Sequence, residues 1–456
     1  MKKPNFILMT DSYKLTHASQ YPAGTQKVFS YMESRGGDFP ETVFFGLQYY
    51  LQKYLAGKVL TQAMIEEADT FCKAHFGRDL FNRAGWELML ERYDGRIPVE
   101  IRAVPEGTVQ ATRNVMMTIV NTDENFPWIT NAIETLLLKL WYPITVATLS
   151  REIKKVIKAR LEASGDTAGL PFKLHDFGYR GVSSEESAGI GGAAHLVNFM
   201  GTDTIAGILL ADKYYNASVC GFSIAATEHS TMTSWGRDRE VDAYRNFLTR
   251  HPSGVIACVS DSYDIYNACE NIWGGVLREQ VLARDGTLVI RPDSGDPLEV
   301  LPRILNILWD RFGGTTNAKG FRVLDSHVRV IWGDGINYRS IQGILDCLYN
   351  LGWSLDNLAF GMGGALLQQV HRDSQKFAFK CSAAKVNGHW RDVWKDPVTD
   401  HGKDSKRGLL WYSKGKTRTA STEDKYKPGR DFPIVFLNGK ICRKVTFPEI
   451  RERAEI

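Results

Sequence analysis

Five times between residues 172 and 364, a short apolar run breaks off into polar residues or glycine. Residues 172–174 lead into His175-Asp176-Phe177-Gly178-Tyr179-Arg180, and residues 254–259 into Ser260-Asp261-Ser262-Tyr263-Asp264. Residues 288–290 lead into Arg291-Pro292-Asp293-Ser294-Gly295, residues 328–332 into Gly333-Asp334-Gly335, and residues 358–360 into Gly361-Met362-Gly363-Gly364. Residues 264–273, 297–312 and 338–351 then carry apolar side chains at helical spacing. Buried strand, polar loop and amphipathic helix in repeated succession predict a parallel sheet with helices outside it. Two architectures satisfy that pattern, a closed α/β barrel and an open doubly wound sheet. Both bind ligands at the carboxyl ends of the strands, so the loops just named are where chemistry is expected.

The flanks read differently. Residues 41–58, 62–78, 131–141 and 147–161 have helix-like apolar spacing, while 98–104 and 108–120 alternate as strands do. Residues 396–430 are rich in Lys, Arg, Gly, Ser and Asp and predict an exposed loop or hairpin around a short strand at 409–412. The tail, 434–453, is expected to return to the N-terminal part.

Charge narrows the class of partner. A net charge of +4 with 24% charged residues gives no reason to expect nucleic acid or an anionic membrane as the main partner. No apolar run is long enough to span a bilayer. Met1-Lys2-Lys3 followed by Phe6-Ile7-Leu8-Met9 opens like a secretory signal, but Thr10-Asp11-Ser12 ends the apolar stretch at once, so a cytoplasmic location is expected. The seven cysteines form no Cys-x-x-Cys pair and predict reduced thiols; there is no His-Glu-x-x-His to suggest a zinc hydrolase.

Among the strand-end loops, Arg291-Pro292-Asp293-Ser294-Gly295-Asp296 says most. An Arg offers a planar fork to a carbonyl or phosphate, and an Asp two residues on can accept from ribose hydroxyls or hold a metal-bound water. Taken alone, such a pair more often stiffens a turn. Gly333-Asp334-Gly335 and Gly361-Met362-Gly363-Gly364 let backbone amides approach an anion, with Arg372 and Lys380 beyond them to neutralise it, although glycine turns and solvated basic faces are common without any ligand. His175-Asp176 and Glu228-His229 supply the candidate histidines. A lone His is usually structural, but His229 follows the small apolar run Ile224-Ala225-Ala226, and Glu228 or Asp261 nearby would make it a base or nucleophile. Phe177 and Tyr179 flank Gly178 and can stack on a flat ring or simply pack.

Longer ordered stretches carry a resemblance. Thr10-Asp11-Ser12-Tyr13-Lys14, Trp141-Tyr142-Pro143-Ile144-Thr145-Val146-Ala147-Thr148, residues 173–184, Ala194-His195-Leu196-Val197-Asn198-Phe199 and Gly201-Thr202-Asp203-Thr204 belong to it. So do Glu228-His229-Ser230-Thr231, residues 260–269 and 290–295, Phe379-Lys380-Cys381-Ser382 and Lys395-Asp396-Pro397-Val398. In these the chain resembles the nicotinamide phosphoribosyltransferase family over nearly its whole length.

That resemblance implies a type II phosphoribosyltransferase fold: an irregular α/β barrel over 146–380, with a second, mostly β domain built from 1–145 and 381–456. It implies a pentosyltransferase that joins nicotinamide to phosphoribosyl pyrophosphate in NAD salvage, with Mg2+, with ATP as activating co-substrate, and as a homodimer with shared sites. By the same resemblance, Phe177 and Tyr13 of the partner subunit would sandwich the pyridine ring, with Asp11 beside them. Asp203 would accept from the carboxamide NH2, and Ser223 and Arg291 would lie near its oxygen. Asp293, Gly333 and Asp334 would hold the ribose, while Gly363, Gly364, Arg372 and Arg180 would hold the 5′-phosphate, and Arg329 would also contact substrate. Arg35, Lys380, Lys395 and Lys403 would attend pyrophosphate or ATP phosphates. His229 would be the residue ATP phosphorylates, with Glu228, Asp261 and Asp293 completing the catalytic group. The resemblance assigns no direct metal ligand.

The chain departs from the vertebrate pattern at Met362 and Ala378, where serines stand, at Trp332, where a glutamine stands, and in a shorter loop at 36–41. Three alternatives remain at this stage: an enzyme for nicotinic acid, whose carboxylate Asp203 would repel; a non-catalytic binding protein on the same fold; and a phosphate-binding barrel isomerase, for which no convincing acid–base pair emerges.

Overall fold

The computed structural model describes residues 4–399 and 405–456, which fold as two compact units. One comprises 149–210 and 218–370 with Ile456; the other comprises the described residues of 1–148, 211–217 and 371–455.

The first unit is a parallel barrel. Its strands are β1 (Leu174–Asp176), β2 (Gly201–Thr202), β3 (Ala225–Ala226), β4 (Ile256–Val259), β5 (Leu288–Arg291), β6 (Val328–Trp332) and β7 (Leu358–Met362). They lie in the order β2-β1-β7-β6-β5-β4-β3, every neighbouring pair parallel. The two outer strands meet as well. Phe222, just before β3, bridges Gly201 of β2, and the Thr202 amide donates to the Phe222 carbonyl at 3.0 Å. The ring closes, so all strand-end loops stand at one end of one barrel.

Alternation along each strand divides inside from outside. Ala257, Val289 and Ile331 point inward, with Phe177 and Ala359 packed against them. Ile256, Cys258, Leu288, Ile290, Val330 and Trp332 point outward and are almost completely buried. The helices Pro297–Phe312 and Tyr338–Asn350 bury one apolar face each, the first through Leu301, Ile304, Leu305 and Leu308, the second through Ile341, Ile344, Leu345 and Leu348. Each such side chain contributes roughly 1.5–3 kcal/mol of burial. Their starts are written in the sequence: Asp296 caps the Leu298 amide with Pro297 at the first position, and Asn337 and Ser340 form a capping box. The helix expected over 264–273 is less regular. Ile265–Asn267 is α-helical, and Ala268–Val276 continues as a π-helix.

The other unit centres on an antiparallel sheet built from both ends of the chain. Its order is His389–Asp392, Phe377–Val386, Thr25–Ser34, Val115–Asn121, Val99–Ala103, Ile434–Leu437 and Lys440–Ile441. The returning tail is therefore real: Ile434–Leu437 pairs with Val99–Ala103. Within 396–430, Leu409–Ser413 and Lys416–Ala420 form a hairpin.

The helix expected over 41–58 needs correction. Glu41–Val43 is a strand paired with Val109–Ala111, and the helix begins only at Leu47. The cause is Glu106, whose buried carboxylate accepts from the Gly46 amide at 2.9 Å and the Gln48 amide at 2.5 Å and so fixes the helix start; burial pushes that carboxyl up to about 7. Gly46 adopts φ +106°, open to glycine and costly for other residues. The stretch 131–141 likewise breaks into Ile129–Ala132 and Glu134–Leu138, followed by the long helix Trp141–Ser164. Among the described residues no helix is long and apolar enough to cross a membrane, and all seven cysteines are free.

Candidate active site

Phe177 leaves the end of β1 and its amide donates to the Met362 carbonyl at 3.0 Å. Its ring lies across the ends of β6 and β7. A Cβ added to Gly361 would sit 1.9 Å from Phe177 Cε2, and one on Gly333 would sit 3.3 Å from it. Gly361 is thus glycine because an aromatic ring occupies the space of a side chain, not because an anion does. Gly364, further along the same loop, is not crowded in this way. Nothing stands within 4 Å of a Cβ on Gly364, while the turn Tyr179–Gly181 that carries the exposed Arg180 comes against it, a Cβ on Gly181 lying 3.3 Å from Gly364 Cα. Asp176 ties this turn to the barrel. Fully buried, it accepts from the Gly178 amide at 2.7 Å, and burial pushes its carboxyl up to about 6.

Asp203 follows β2. His175 Nε2 lies 3.1 Å from its Oδ1, and Ser223 Oγ donates to the same oxygen. Burial alone would raise the Asp203 carboxyl; the His175 and Ser223 hydrogen bonds and the Arg291 charge outweigh it and hold the group below the usual range. An ionised carboxylate only accepts, so the His175 proton sits on Nε2. Arg291 ends β5. Its Nε is buried without a hydrogen-bond partner, and its nearest acid is Asp293, with Nη2 3.9 Å from Oδ2. The guanidinium keeps donor capacity for a ligand.

His229 opens the helix His229–Thr233 after β3, and its Nε2 lies 3.0 Å from Asp261 Oδ1. The other Asp261 oxygen accepts from the Asp293 amide at 3.0 Å and from Ser294 Oγ at 2.6 Å. Asp261 therefore links the half-exposed His229 to the Asp293 loop. Glu228 does not share this network; its carboxylate accepts from Ser230 Oγ. Asp293 Oδ1 lies 3.8 Å from the Cβ position of Gly333, so the Arg-Pro-Asp and Gly-Asp-Gly loops converge. Asp334 is exposed, and its carbonyl accepts from Trp332 Nε1 at 2.7 Å.

Arg329 is the exception. It lies near the amino end of β6, and its Nη1 donates to the carbonyls of Leu324, Asp325 and Val328 at 3.2, 2.8 and 2.7 Å. Its guanidinium stitches the approach to β6 rather than joining the strand-end loops.

The second unit holds a basic cavity of about 680 Å³, lined by Arg35, Arg113, Arg372, Lys376, Lys380 and Lys395 with only Glu134 and Asp373 as acids. Burial pulls the Lys380 ammonium down, and the charges of Arg35, Lys395 and Arg372 add to the effect. Arg35 Nε and Nη2 are buried without hydrogen-bond partners, although Nε lies 3.6 Å from Glu33 Oε1 in an ion pair. Cations crowded in this way favour a multiply charged anion. Arg113 and Lys376, unmarked by any motif, both adopt left-handed backbone, φ 66° and 46°, as residues at functional sites often do. Elsewhere in this unit, Asp11 accepts from Thr135 Oγ1 at 2.6 Å, and Tyr13 leaves 57% of its surface exposed. Lys403 lies outside the described residues.

Set beside known proteins, this arrangement has clear counterparts. Residues 172–430 match the nicotinate phosphoribosyltransferase family, and residues 5–101 match the nicotinamide phosphoribosyltransferase N-terminal domain. The fold is shared with the crystal structures of nicotinate-nucleotide pyrophosphorylase from Pyrococcus furiosus (TM-score 0.58, 16% identity, covering 100% of this chain and 96% of that one) and of human nicotinic acid phosphoribosyltransferase (TM-score 0.58, 14% identity, 98% and 93%). A closed parallel barrel and a sheet unit made from both chain ends define a type II phosphoribosyltransferase, an enzyme of the pentosyltransferase class. In sequence the chain is 50% identical to the nicotinamide phosphoribosyltransferase of Xanthomonas campestris, over 99% of this chain and 98% of that protein, and 33% identical to that of Acinetobacter baylyi, over 97% and 95%. It belongs to the nicotinamide phosphoribosyltransferase family.

Proposed function

We propose that the protein transfers the phosphoribosyl group of phosphoribosyl pyrophosphate to the ring nitrogen of nicotinamide, forming nicotinamide mononucleotide and pyrophosphate in NAD salvage. One observation carries this reading: an ionised acceptor, Asp203, stands at the strand ends with donors already on one oxygen. An amide NH2 satisfies the remaining acceptor capacity, whereas the carboxylate of nicotinic acid meets like charge. Arg291 has donor capacity for the amide carbonyl, and the partly exposed Phe177 ring would stack on the pyridine.

The chemistry asks little proton transfer. The C1–oxygen bond to pyrophosphate breaks with oxocarbenium-like character, and the pyridine nitrogen attacks with a lone pair it already has. The protein's task is to hold both reactants and steady the charge. Asp293 would accept from the ribose hydroxyls, and the Gly363-Gly364 amides with Arg180 would take the 5′-phosphate. The basic cavity of the other unit suits pyrophosphate or ATP phosphates. Mg2+ fits as part of the substrate. Among the described residues no three His, Cys, Asp or Glu side chains converge as a cage, and Mg2+ is usually held by one or two carboxylates plus phosphates, here with Asp293 as the candidate. When bound, it would neutralise charge on the departing pyrophosphate.

His229 would accept the γ-phosphoryl group of ATP. With Nε2–H donating a hydrogen bond to Asp261, the Nδ1 lone pair of the neutral imidazole would form the N–P bond as the β–γ P–O bond breaks and ADP leaves. The exposed Tyr13 and Asp11 suit a homodimer whose sites are shared between subunits.

The direct test of the substrate reading is Asp203→Ala. Its ratio of kcat/KM for nicotinamide over nicotinic acid should fall about tenfold or more, since a charge-assisted hydrogen bond and a like-charge barrier go together. A variant that keeps the wild-type ratio would remove Asp203 from substrate selection.

A further inference from the structure

Asp203 is half exposed, its side chain 49% accessible, and it follows a strand of only two residues. A carboxylate so placed has rotamers to choose from, yet amide selection needs one of them. Two donors meet on one oxygen, Oδ1: His175 Nε2 at 3.1 Å and Ser223 Oγ. The imidazole is itself wedged. A Cβ on Gly201 would fall 2.7 Å from His175 Nδ1, so glycine there makes room for the ring, and the Phe177 ring stands 5.1 Å away at 53°. Nδ1 faces Gly201 with no hydrogen-bond partner among the described residues, which disfavours the tautomer that puts the proton there. Nε2 is left as a fixed donor aimed at Asp203.

We propose that His175 is a positioning residue for substrate selection: its Nε2 donates to Asp203 Oδ1, holds the carboxylate ionised in one orientation, and leaves Oδ2 to accept the amide NH2, thereby setting the preference for an amide over an acid. This rests on the nicotinamide reading above. Ser223 alone would not suffice, because a hydroxyl rotates and can accept from a protonated Asp203 as readily as donate to an ionised one.

Proton linkage adds a second consequence. The groups facing Asp203 are His175 and Asp176 from β1, Ser223 from the segment before β3 and Arg291 from β5. Burial raises the Asp203 carboxyl, and His175, Ser223 and Arg291 outweigh it, to a net value below the usual range. As pH falls through that value, Asp203 takes up a proton, becomes a donor as well, and stops repelling a carboxylate. The amide preference therefore narrows toward acid. Without the His175 donor Asp203 protonates more readily, and the narrowing begins at higher pH.

The test uses the full chain with His175→Gln and His175→Asn, measuring kcat/KM for nicotinamide and for nicotinic acid from acid to neutral pH. A glutamine amide nitrogen reaches about where Nε2 stands; asparagine stops near Nδ1. The Asn variant should lose about tenfold or more of the nicotinamide preference, chiefly through a higher KM for nicotinamide, with the narrowing displaced to higher pH, and the Gln variant should recover most of it. If both variants depress the two substrates equally and keep the wild-type ratio and pH profile, His175 is only packing and the proposal fails. Should the Asn variant not fold, His175→Phe keeps an aromatic ring without a donor and takes its place: a fall of the nicotinamide preference supports the donor at Oδ1, and an unchanged ratio overturns it. A wild type without preference for nicotinamide contradicts the substrate reading, and this proposal with it, before any variant is compared.

Discussion

At the scale of single residues, the strand ends are organised around carboxylates that have each been given one task. Asp176 is buried to anchor a turn, Asp203 is kept ionised to accept, and Asp261 is spent on joining His229 to the Asp293 loop. The last of these bears on ATP. A phosphoryl group on His229 would place negative charge on the residue that Asp261 ties to the Asp293 loop, so phosphorylation and the proposed ribose binding there would share one hinge of hydrogen bonds. His229→Ala should accordingly retain basal synthesis but lose both ATP hydrolysis and stimulation by ATP, and an acid-labile, base-stable phosphate should label the wild type alone. A variant that still hydrolyses ATP and still responds to it would exclude the phosphohistidine.

At the scale of elements, the barrel works because parallel strands put every loop at one end, and position along a strand then decides a residue's fate. Arg291 and Arg329 both belong to barrel strands. The first ends β5 and keeps unspent donors; the second begins β6 and gives Nη1 to three carbonyls. Arg329→Ala should therefore cost roughly 2 kcal/mol of stability, read as a lower Tm or denaturant midpoint, while KM for either substrate changes by less than about twofold. A large rise in KM with unchanged stability would return Arg329 to the site. Much of this level is legible in the sequence. Val328–Trp332 and Pro297–Phe312 coincide with their expected bounds, because a run with four apolar residues in five and a capped amphipathic helix are strong local signals. Gly201–Thr202 leaves no such signal, being two residues long and free of large apolar side chains. The His175–Asp203 contact is hidden for a related reason: the residues are 28 apart in sequence and meet only through the β1–β2 pairing. Arg113 and Lys376 line the basic cavity from turns outside any motif, and nothing local marks them. Gly361 is the instructive misreading, a glycine that signals close approach without saying whether an anion or a neighbouring ring approaches.

At the scale of the whole molecule, the chain brings its two ends into one sheet unit and leaves the barrel to its middle. If subunits share sites as proposed, Tyr13 and Phe177 act in the same site from different chains, and the two defects should complement. Tyr13→Ala and Phe177→Ala, each nearly inactive alone, should on subunit exchange yield mixed dimers with one intact site and up to about half the activity of a wild-type dimer. Verified exchange without recovery would argue for sites made within one chain. All of these expectations stand on the identity of the acceptor substrate. It is tested most directly by incubating the pure wild-type protein with phosphoribosyl pyrophosphate, Mg2+ and equal concentrations of nicotinamide and nicotinic acid, and identifying the mononucleotide formed. An ionised Asp203 with its donors in place predicts nicotinamide mononucleotide as the dominant product, with or without ATP; nicotinic acid mononucleotide in equal or greater yield would contradict the account.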